Sequence, residues 1–308
     1  MKILVYLEKA SVRGGIETFA ESHVARLRSG GAEVDVLDAV PRDFSPYAEI
    51  FVHKCTRVSD LERFPPGRTV LYVHDHSMTC PRGYAYTPFL RNCRRRGGLF
   101  PCLFCAPLCR SWRDALGRVF SQKRRIAAMS RMKRIVVISS FMKSRLVLNG
   151  IPPALVRVEP PAIALAPPGP AAIPDVDVLF AGQLVRGKGV QLLLEAMALA
   201  GPSRTLDVVG SGNFEARLKA LAESLGIAAR VRWRGFRPDP QDWMRKARCV
   251  VVPSFWQEPY GLVAAEAVAL GRPVVAFAVG GLPEACRGAG RLVPPGDVRS
   301  LARAIDET

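Results

Sequence analysis

The sequence predicts an α/β protein with two Rossmann-like domains, each built on a parallel sheet. Three observations support this fold class: the chain has 308 residues, short apolar runs alternate with helix-like periods, and a proline-rich segment divides it. This length is about twice that of a usual single domain, which favours two domains. Because parallel strands need crossover helices, the alternation predicts parallel sheets covered by helices.

The first predicted domain covers residues 1–160 and opens with a βαβ unit. A buried strand at Lys2–Leu7 precedes a glycine turn, an amphipathic helix near 17–28 and a second strand at 34–37. Further strands are predicted at 50–54, 69–74 and 134–139. Prolines are too frequent in 152–174 for a helix or a central strand, so an extended linker or a domain boundary is expected there, with 161–174 joining the domains.

The alternation restarts in the second predicted domain, which covers residues 175–308. Its predicted strands lie at 176–181, 206–210, 231–235, 249–253, 273–278 and 291–293. The predicted helices between them lie near 189–200, 214–225, 241–246 and 262–270. Ligands of such sheets bind beyond the carboxyl ends of the strands, so we expect two sheets that face each other across a ligand-binding cleft.

Composition excludes several classes of protein. Hydrophobic residues make up 49% and charged residues 23% of the chain, which is ordinary for a globular protein and excludes wholesale disorder. Glycine and proline follow no repeat period, which excludes collagen-like and solenoid folds. No apolar run is long enough for a membrane-spanning helix. The N-terminal apolar run, which ends at the charged Glu8, is too short for a signal peptide. We therefore expect a cytoplasmic protein.

The net charge of +17 is concentrated in one segment. Residues 91–145 include fifteen Lys or Arg and one acid, Asp114, whereas the rest of the chain carries only +3. Such a segment indicates an anionic partner, and nucleic acid, an acidic membrane surface and phosphorylated substrates all fit that description. The alternative is a solvated basic face.

The most informative motif joins a predicted strand end to a helix start. Glu258 lies in the loop, Gly261 leaves backbone N–H groups open to close approach, and Glu266 follows about one turn into the helix. A helix N-terminus offers donors and a positive dipole end to an anion such as a phosphate. Two carboxylates in this setting can accept hydrogen bonds from the hydroxyls of a sugar or ribose.

Here the sequence resembles the retaining family 4 glycosyltransferases, which have the two-domain GT-B fold. The resemblance rests on the E-x7-E spacing of Glu258 and Glu266 and on pieces that follow the family's order. These pieces are 14–17 (GGIE), 74–75 (HD), 180–184 (FAGQL), 188–189 (KG), 209–212 (VGSG), 235–236 (GF), 271–275 (GRPVV) and 279–284 (VGGLPE).

The resemblance implies roles for individual residues. Glu266 would bind ribose hydroxyls, Glu258 would hold the sugar ring and act in catalysis, and Lys188 would neutralise the departing diphosphate. Fixed cations lower the barrier to loss of a diphosphate without reorganisation, so no catalytic metal is expected. The other positions implied to bind the donor are Gly14, Gly15, Gln183, Arg186, Gly210, Phe236, Tyr260, Gly261, Leu262 and Val263.

Three positions need separate comment. The family usually has Arg where this chain has Gln183, and Arg186 nearby is the expected substitute for that charge. His74, at the end of a predicted strand, is expected to act in catalysis by contacting the transferred sugar or stabilising the reacting centre. The alternative is a satisfied strand-end histidine. The family normally continues beyond the helix near 302–306, so either a short form of the second domain or a truncated sequence is expected.

Five of the eight cysteines fall within residues 80–109. Clustering of this kind in a cytosolic protein favours a metal over disulfides. We predict a structural zinc held by Cys80, Cys93, Cys102 and Cys105, with Cys109 as the alternate fourth ligand. An iron–sulfur cluster and reduced structural cysteines are the alternatives.

Together, these features predict a retaining hexosyltransferase that uses a nucleotide-diphospho-sugar donor. The expected acceptor is a lipid-linked or other cell-envelope glycan, and the expected location is the inner face of the membrane. A basic amphipathic helix at 112–127 is predicted to bind an anionic surface through Trp112, Leu116, Val119, Phe120 and Ala127. No nucleic-acid partner is expected. The alternatives are a non-hydrolysing sugar-nucleotide epimerase on the same fold and a zinc-dependent nucleic-acid-binding protein.

Overall fold

The computed structural model describes residues 1–8, 15–80, 83, 85, 92–93, 102, 112–167 and 175–308. The chain divides into two compact units, Met1–Pro161 and Ala162–Thr308. Each unit contains a six-stranded sheet in which all paired strands are parallel. The α/β class and the two Rossmann-like units predicted from the alternation are therefore confirmed.

The sheet of the first unit has the order β2-β1-β3-β4-β5-β6. Its strands are β1 (Lys2–Leu7), β2 (Glu33–Leu37), β3 (Glu49–Lys54), β4 (Thr69–Val73), β5 (Arg134–Val137) and β6 (Val156–Val158). Its helices are α1 (Gly15–Ser29), α2 (Val58–Leu61), α3 (Trp112–Met129) and α4 (Ser140–Leu148). Buried residues of β1, β3, β4 and β5 form a core against Val24 of α1, with Phe19 packed beside it.

One strand of this unit was not predicted. β6 lies inside the proline-rich segment and pairs in parallel with β5, so residues 156–158 of that segment belong to the first sheet and not to a linker. The physical reason is position, because β6 is an edge strand of three residues, and an edge tolerates neighbouring prolines that a central strand does not.

The sheet of the second unit has the order β12-β11-β10-β7-β8-β9. Its strands are β7 (Val176–Ala181), β8 (Leu206–Val209), β9 (Val231–Gly235), β10 (Ala247–Val252), β11 (Val274–Phe277) and β12 (Gly290–Val293). Its helices are α5 (Val190–Leu199), α6 (Glu215–Ser224), α7 (Pro240–Lys246), α8 (Leu262–Ala269), α9 (Leu282–Cys286) and α10 (Val298–Asp306). Strand order reverses between β7 and β10, which makes the carboxyl ends of these two strands the topological switch point.

Candidate functional site

The carboxyl edge of the second sheet brings together loops that lie far apart in sequence. Lys188 follows β7, and Glu258 follows β10, its neighbour in the sheet. The Nζ atom of Lys188 lies 2.7 Å from Oε1 of Glu258, which joins the two loops by an ion pair. Two residues implied by the resemblance to be catalytic therefore meet at the switch point.

Glycine allows these loops to touch through their backbones. Gly189 has φ 75°, and a Cβ atom there would lie 1.8 Å from the carbonyl oxygen of Pro253 at the end of β10. Gly280 has φ 61°, and its Cβ would lie 2.3 Å from the carbonyl oxygen of Glu258. A side chain at either position would overlap the neighbouring backbone, so glycine is needed for this close approach.

The loops after β7 and β8 are joined in the same way. A Cβ atom on Gly210 would lie 1.9 Å from the carbonyl oxygen of Gly182, and one on Gly212 would lie 2.3 Å from that of Leu184. The N–H of Gly210 donates to the carbonyl of Gly235 at 2.8 Å, which links the end of β9 to the same edge. Gly210 therefore lies beside the residues that follow β7.

Glu258 is the most constrained side chain of this edge. It is only 6% exposed, and its Oε1 atom accepts hydrogen bonds from Lys188 Nζ at 2.7 Å, Ser254 Oγ at 2.7 Å and Trp256 Nε1 at 2.9 Å. The ammonium of Lys188 also lies 5.3 Å from the centre of the Trp256 ring. Neither Ser254 nor Trp256 was predicted as a site residue, although both are within four positions of Glu258 in the motif.

Burial by itself would raise the pKa of the Glu258 carboxyl. The charge of Lys188 and the hydrogen bonds from Lys188, Trp256 and Ser254 outweigh that effect, so the pKa lies below its ordinary value. Glu258 is therefore an ionised hydrogen-bond acceptor in a nearly water-free position. Such a group can hold hydroxyls or stabilise developing positive charge.

The helix α8 begins directly after this loop. Gly261 precedes it with φ 110°, and a Cβ atom there would lie 2.5 Å from Cδ2 of Leu282. The N–H of Ala265 donates to the Gly261 carbonyl, so the N–H groups of Leu262 and Val263 precede the intrahelical ladder. Tyr260 is buried, whereas Gly261, Leu262 and Val263 are half-buried, so backbone donors at this helix end lie near the surface.

Glu266 lies on α8 with its carboxyl half-buried. Burial raises the pKa of this group above its ordinary value, against the opposing effect of a hydrogen bond with Gln241. The two glutamates of the E-x7-E motif therefore have opposite electrostatic surroundings: Glu258 is held by a cation, whereas the pKa of Glu266 is dominated by loss of water. This difference was not predictable from their spacing.

The remaining donor-site positions of the second unit are more open. Gln183 and Arg186 are exposed on the loop after β7, and Phe236 after β9 is 73% exposed. An exposed aromatic ring at a carboxyl edge is available for stacking. Arg186 shares a short 3₁₀ turn with Lys188, so its backbone lies beside the ion pair.

In the first unit, His74 directly follows β4 and is buried. Its Nε2 atom lies 3.2 Å from Nδ1 of His53. Burial lowers the pKa of His74 to about 4, with Asp75 and Glu17 acting weakly in the opposite direction. The ring is therefore neutral near pH 7. Gly15 begins α1, and Gly14 lies outside the described residues.

The cysteine segment is described only in part. Cys80, Cys93 and Cys102 are partly buried, whereas Cys105 and Cys109 lie outside the described residues. Within the ranges given above, no three His, Cys, Asp or Glu side chains are grouped so that they could hold a metal ion. The zinc site stays a prediction.

The basic helix α3 is longer than predicted, and its apolar residues divide between two directions. Val119 is buried in the protein, so its expected place on a lipid-facing side was wrong. Ala128 and Met129, at the end of the same helix, are also buried. Leu116 and Phe120, one turn apart, are 40% and 56% exposed. The side chains of residues 112–115, including that of Trp112, lie outside the part of the chain that the structure describes.

Among the described residues, no helix is long and apolar enough to cross a bilayer.

Comparison with known proteins shows what the second unit is similar to. The family Glycosyl transferases group 1 matches residues 171–308. D-inositol 3-phosphate glycosyltransferase of Streptomyces coelicolor is 43% identical over 143 residues, which cover 41% of this chain and 31% of that protein. An uncharacterised glycosyltransferase of Methanocaldococcus jannaschii is 37% identical over 137 residues, covering 42% of this chain and 34% of the relative. The chain thus spans about a third of the length of these curated relatives.

Solved structures resemble the whole chain. Anabaena HepE in complex with UDP and glucose has a TM-score of 0.70 at 20% identity, over 100% of this chain and 89% of that one. Sucrose-phosphate synthase of Thermosynechococcus elongatus has a TM-score of 0.69 at 21% identity, over 99% and 89%. Identity this low establishes the fold alone. The chain therefore has two Rossmann-like units of the GT-B type, and its second unit is similar to the family Glycosyl transferases group 1 over residues 171–308.

Proposed function

We propose that this protein is a retaining, family 4 type glycosyltransferase that moves a hexose from a nucleotide-diphospho-sugar to a glycan acceptor. The observation that carries the proposal is the ion pair of Lys188 and Glu258 at the switch point of the second unit. A cation, an ionised carboxylate and a helix N-terminus lie within one set of loops. These are the groups that a sugar diphosphate requires.

The chemistry assigns a task to each group. As the sugar–phosphate bond breaks, negative charge grows on the diphosphate, and Lys188 together with the N-terminal N–H groups of α8 stabilises it. Glu258 accepts hydrogen bonds from hydroxyls of the sugar ring. Its second oxygen has this task, because Oε1 already accepts three bonds. Glu266 accepts hydrogen bonds from the ribose hydroxyls.

The donor is proposed to be a UDP-hexose, because solved relatives of the fold contain UDP or UDP-glucose. Binding is tested by thermal shift and calorimetry with UDP, GDP, ADP and their hexose conjugates in EDTA, since a ligand of the folded state raises Tm. We expect UDP and UDP-hexose to stabilise the protein and Glu266→Gln to weaken binding by about 10- to 150-fold, the effect of one lost charge-assisted hydrogen bond.

The matched control is Glu223→Gln, an equal change at an exposed glutamate of α6 in the same unit. It should leave nucleotide affinity unchanged. Equal affinity of wild type and Glu266→Gln for UDP would remove the ribose-binding role. If none of the nucleotides raised Tm, the result would contradict the proposed donor site.

The proposed acceptor is a lipid-linked or other cell-envelope glycan, used at the inner face of the membrane. The exposed Leu116 and Phe120 and the basic residues Arg118, Lys123 and Arg124 of α3 support a position at an anionic surface. The structural relatives include a protein described as a glycosyltransferase involved in lipopolysaccharide biosynthesis, with a TM-score of 0.66 at 17% identity. The acceptor class is tested by measuring transfer of labelled hexose with and without a lipid extract. Transfer that requires the extract supports this class. Conversion of the sugar nucleotide without any acceptor would favour an epimerase instead.

A structural zinc remains part of the proposal. Thiolates of Cys80, Cys93, Cys102 and Cys105 or Cys109 would be favoured by the many arginines of residues 91–145. Elemental analysis of the purified protein should give about one zinc per chain, the stoichiometry of a four-ligand site. Metal-free protein with an unchanged Tm after chelation would contradict it.

A further inference from the structure

The chain has four histidines, and three of them form one buried hydrogen-bonded row in the first unit. Nδ1 of His23 lies 2.8 Å from Nε2 of His53, and Nδ1 of His53 lies 3.2 Å from Nε2 of His74. The middle ring is stacked on Tyr72, with centroids 4.3 Å apart and an angle of 15° between the planes. The row starts on α1, passes through β3 and ends at the residue after β4.

The geometry leaves few ways to place the protons. A neutral imidazole has one N–H donor and one acceptor nitrogen, so His53 must donate through one nitrogen and accept through the other. A doubly protonated His53 would also fit, but that ring is only 1% exposed, and burial lowers its pKa well below the ordinary value. Two neutral arrangements of opposite direction therefore remain, and each fixes the tautomers of all three rings together.

The surrounding charges select one direction. The acids that act on His74 are Asp75 and Glu17, and Glu17 also pairs with Lys54 at 3.5 Å. The strongest charge that acts on His23 is Arg26, opposed by Glu49. A row whose N–H groups all point from His23 towards His74 places its positive end near the acids and its negative end near Arg26.

We propose that His23 and His53 are positioning residues that hold His74 in its Nδ1–H tautomer. In this arrangement His23 donates to His53, His53 donates to His74, and His74 keeps its own proton on Nδ1. Because Nε2 of His74 is occupied by His53, Nδ1–H is the group that His74 can donate to another partner. That partner is an oxygen of the transferred sugar, an assignment that rests on the proposed function.

The small number of histidines makes a direct test practical. In protein labelled with ¹⁵N-histidine, the two ring nitrogens report which one carries the proton, and His→Phe variants assign each ring. At pH 7 we expect His23, His53 and His74 each as a single Nδ1–H tautomer. Nε2–H tautomers, a cationic His53 or a mixture in these rings would overturn the proposal.

Variants test whether the rings are coupled. His23→Phe removes the donor to His53, and it should change the ¹⁵N shifts of His74, although His74 bonds to His53 and not to His23. His53→Gln keeps one donor and one acceptor and should leave His74 as the Nδ1–H form, whereas His53→Phe should not. His76→Phe, a buried histidine outside the row, is the control and should leave the three tautomers unchanged.

The spectra decide the proposal without any substrate, so its failure is separate from failure of the transferase function. Unchanged His74 shifts in His23→Phe would overturn the coupling. In the transfer assay we expect kcat to fall in His53→Phe and to recover in His53→Gln, with KM for the donor unchanged in both. Equal kcat in His53→Phe and His53→Gln would overturn the role in positioning.

Discussion

The two units have the same kind of sheet but differ at its carboxyl edge. In the second unit, loops meet through glycine backbones, and Lys188 and Glu258 concentrate charge there. In the first unit, the ends of β3 and β4 are filled by rings, and burial lowers the pKa of His53 and His74 so that they carry no charge near pH 7. One scaffold can therefore offer fixed charge for an anion at one edge and directed neutral hydrogen bonds at another.

The largest effect is expected where backbones touch in the second unit. Gly189→Ala introduces a Cβ atom 1.8 Å from the carbonyl oxygen of Pro253 at φ 75°. The left-handed conformation costs about 1–2 kcal/mol for alanine, and the overlap adds about 1–3 kcal/mol. We expect the free energy of unfolding, measured with urea, to fall by about 2–5 kcal/mol.

Gly226→Ala is the matched control for this change. Gly226 has a similar φ of 69°, but a Cβ atom there has no neighbour within 4 Å. Its cost should be limited to the conformational part, about 1–2 kcal/mol. Equal losses at both positions would show that the loops do not need the close contact.

The second effect concerns the charged pair of the same edge. Lys188→Met and Glu258→Gln should each lower kcat/KM for transfer by about 10- to 150-fold, because each removes a charge-assisted contact. Since the two groups touch at 2.7 Å, the double variant should lose less than the product of the single losses.

The surface pair of Lys219, which is exposed, and Glu215, which is half-buried, also lies 2.7 Å apart on α6 and provides the control. The corresponding variants Lys219→Met and Glu215→Gln should transfer sugar at the wild-type rate, because exposed pairs contribute little. If Lys188→Met kept full activity, the proposed stabilisation of the diphosphate would be wrong.

Part of the fold and part of the candidate site were predictable from the sequence. Alternating apolar runs predicted β1, β7 and β9 with the observed bounds. β1 and β7 are short, mostly apolar runs, as is typical of buried parallel strands, whereas β9 is a half-buried edge strand with two arginines. The E-x7-E motif and Lys188 were predicted as site residues, and the structure pairs Lys188 with Glu258 at one edge of the second sheet. The spacing could not reveal that Oε1 of Glu258 accepts three bonds, since that depends on how the loop folds back on Gly187.

Other features escaped prediction for identifiable reasons. α4 was missed because its apolar residues follow no clear helical face, although Ser139 caps it through the N–H of Met142. The histidine row was missed because its members are separated by 30 and 21 positions. Such contacts depend on the neighbouring positions of α1, β3 and β4, which local patterns do not encode.

The third, smaller effect is a dependence of stability on pH that differs between the two units. The pKa values of His23 and His74 fall from 6.5 to about 4 on folding, because burial favours the neutral rings. The unfolded chain then binds more protons between these values, so stability is complete above pH 6.5 and falls as the pH drops towards 4. At pH 5.5 each ring should cost about 1.4 kcal/mol.

In the second unit, the lowered pKa of Glu258 contributes stability above the ordinary pKa of 4.5 that is lost only at lower pH. Hydrogen-exchange protection factors at pH 7 and 5.5 should therefore fall in β3 and β4 before they fall in β7 and β10. Equal losses in both sheets, or losses first in the second, would contradict the difference in charge between the two edges.

The smallest effect is expected at the surface of the first unit. Phe120 is 56% exposed on α3, beside the exposed Lys123 and Arg124, and an apolar ring with basic neighbours fits an anionic lipid surface. Phe120→Glu removes the ring and adds a negative charge that the anionic lipids repel, so binding to anionic vesicles should weaken by roughly fivefold, the equivalent of about 1 kcal/mol.

Leu199→Glu places the same change on a 59% exposed apolar residue of the second unit and should have no effect. Vesicle sedimentation over a salt series measures both, since attraction between exposed charges weakens as salt rises. Equal binding of wild type to neutral and anionic vesicles would rule out this surface as the membrane contact.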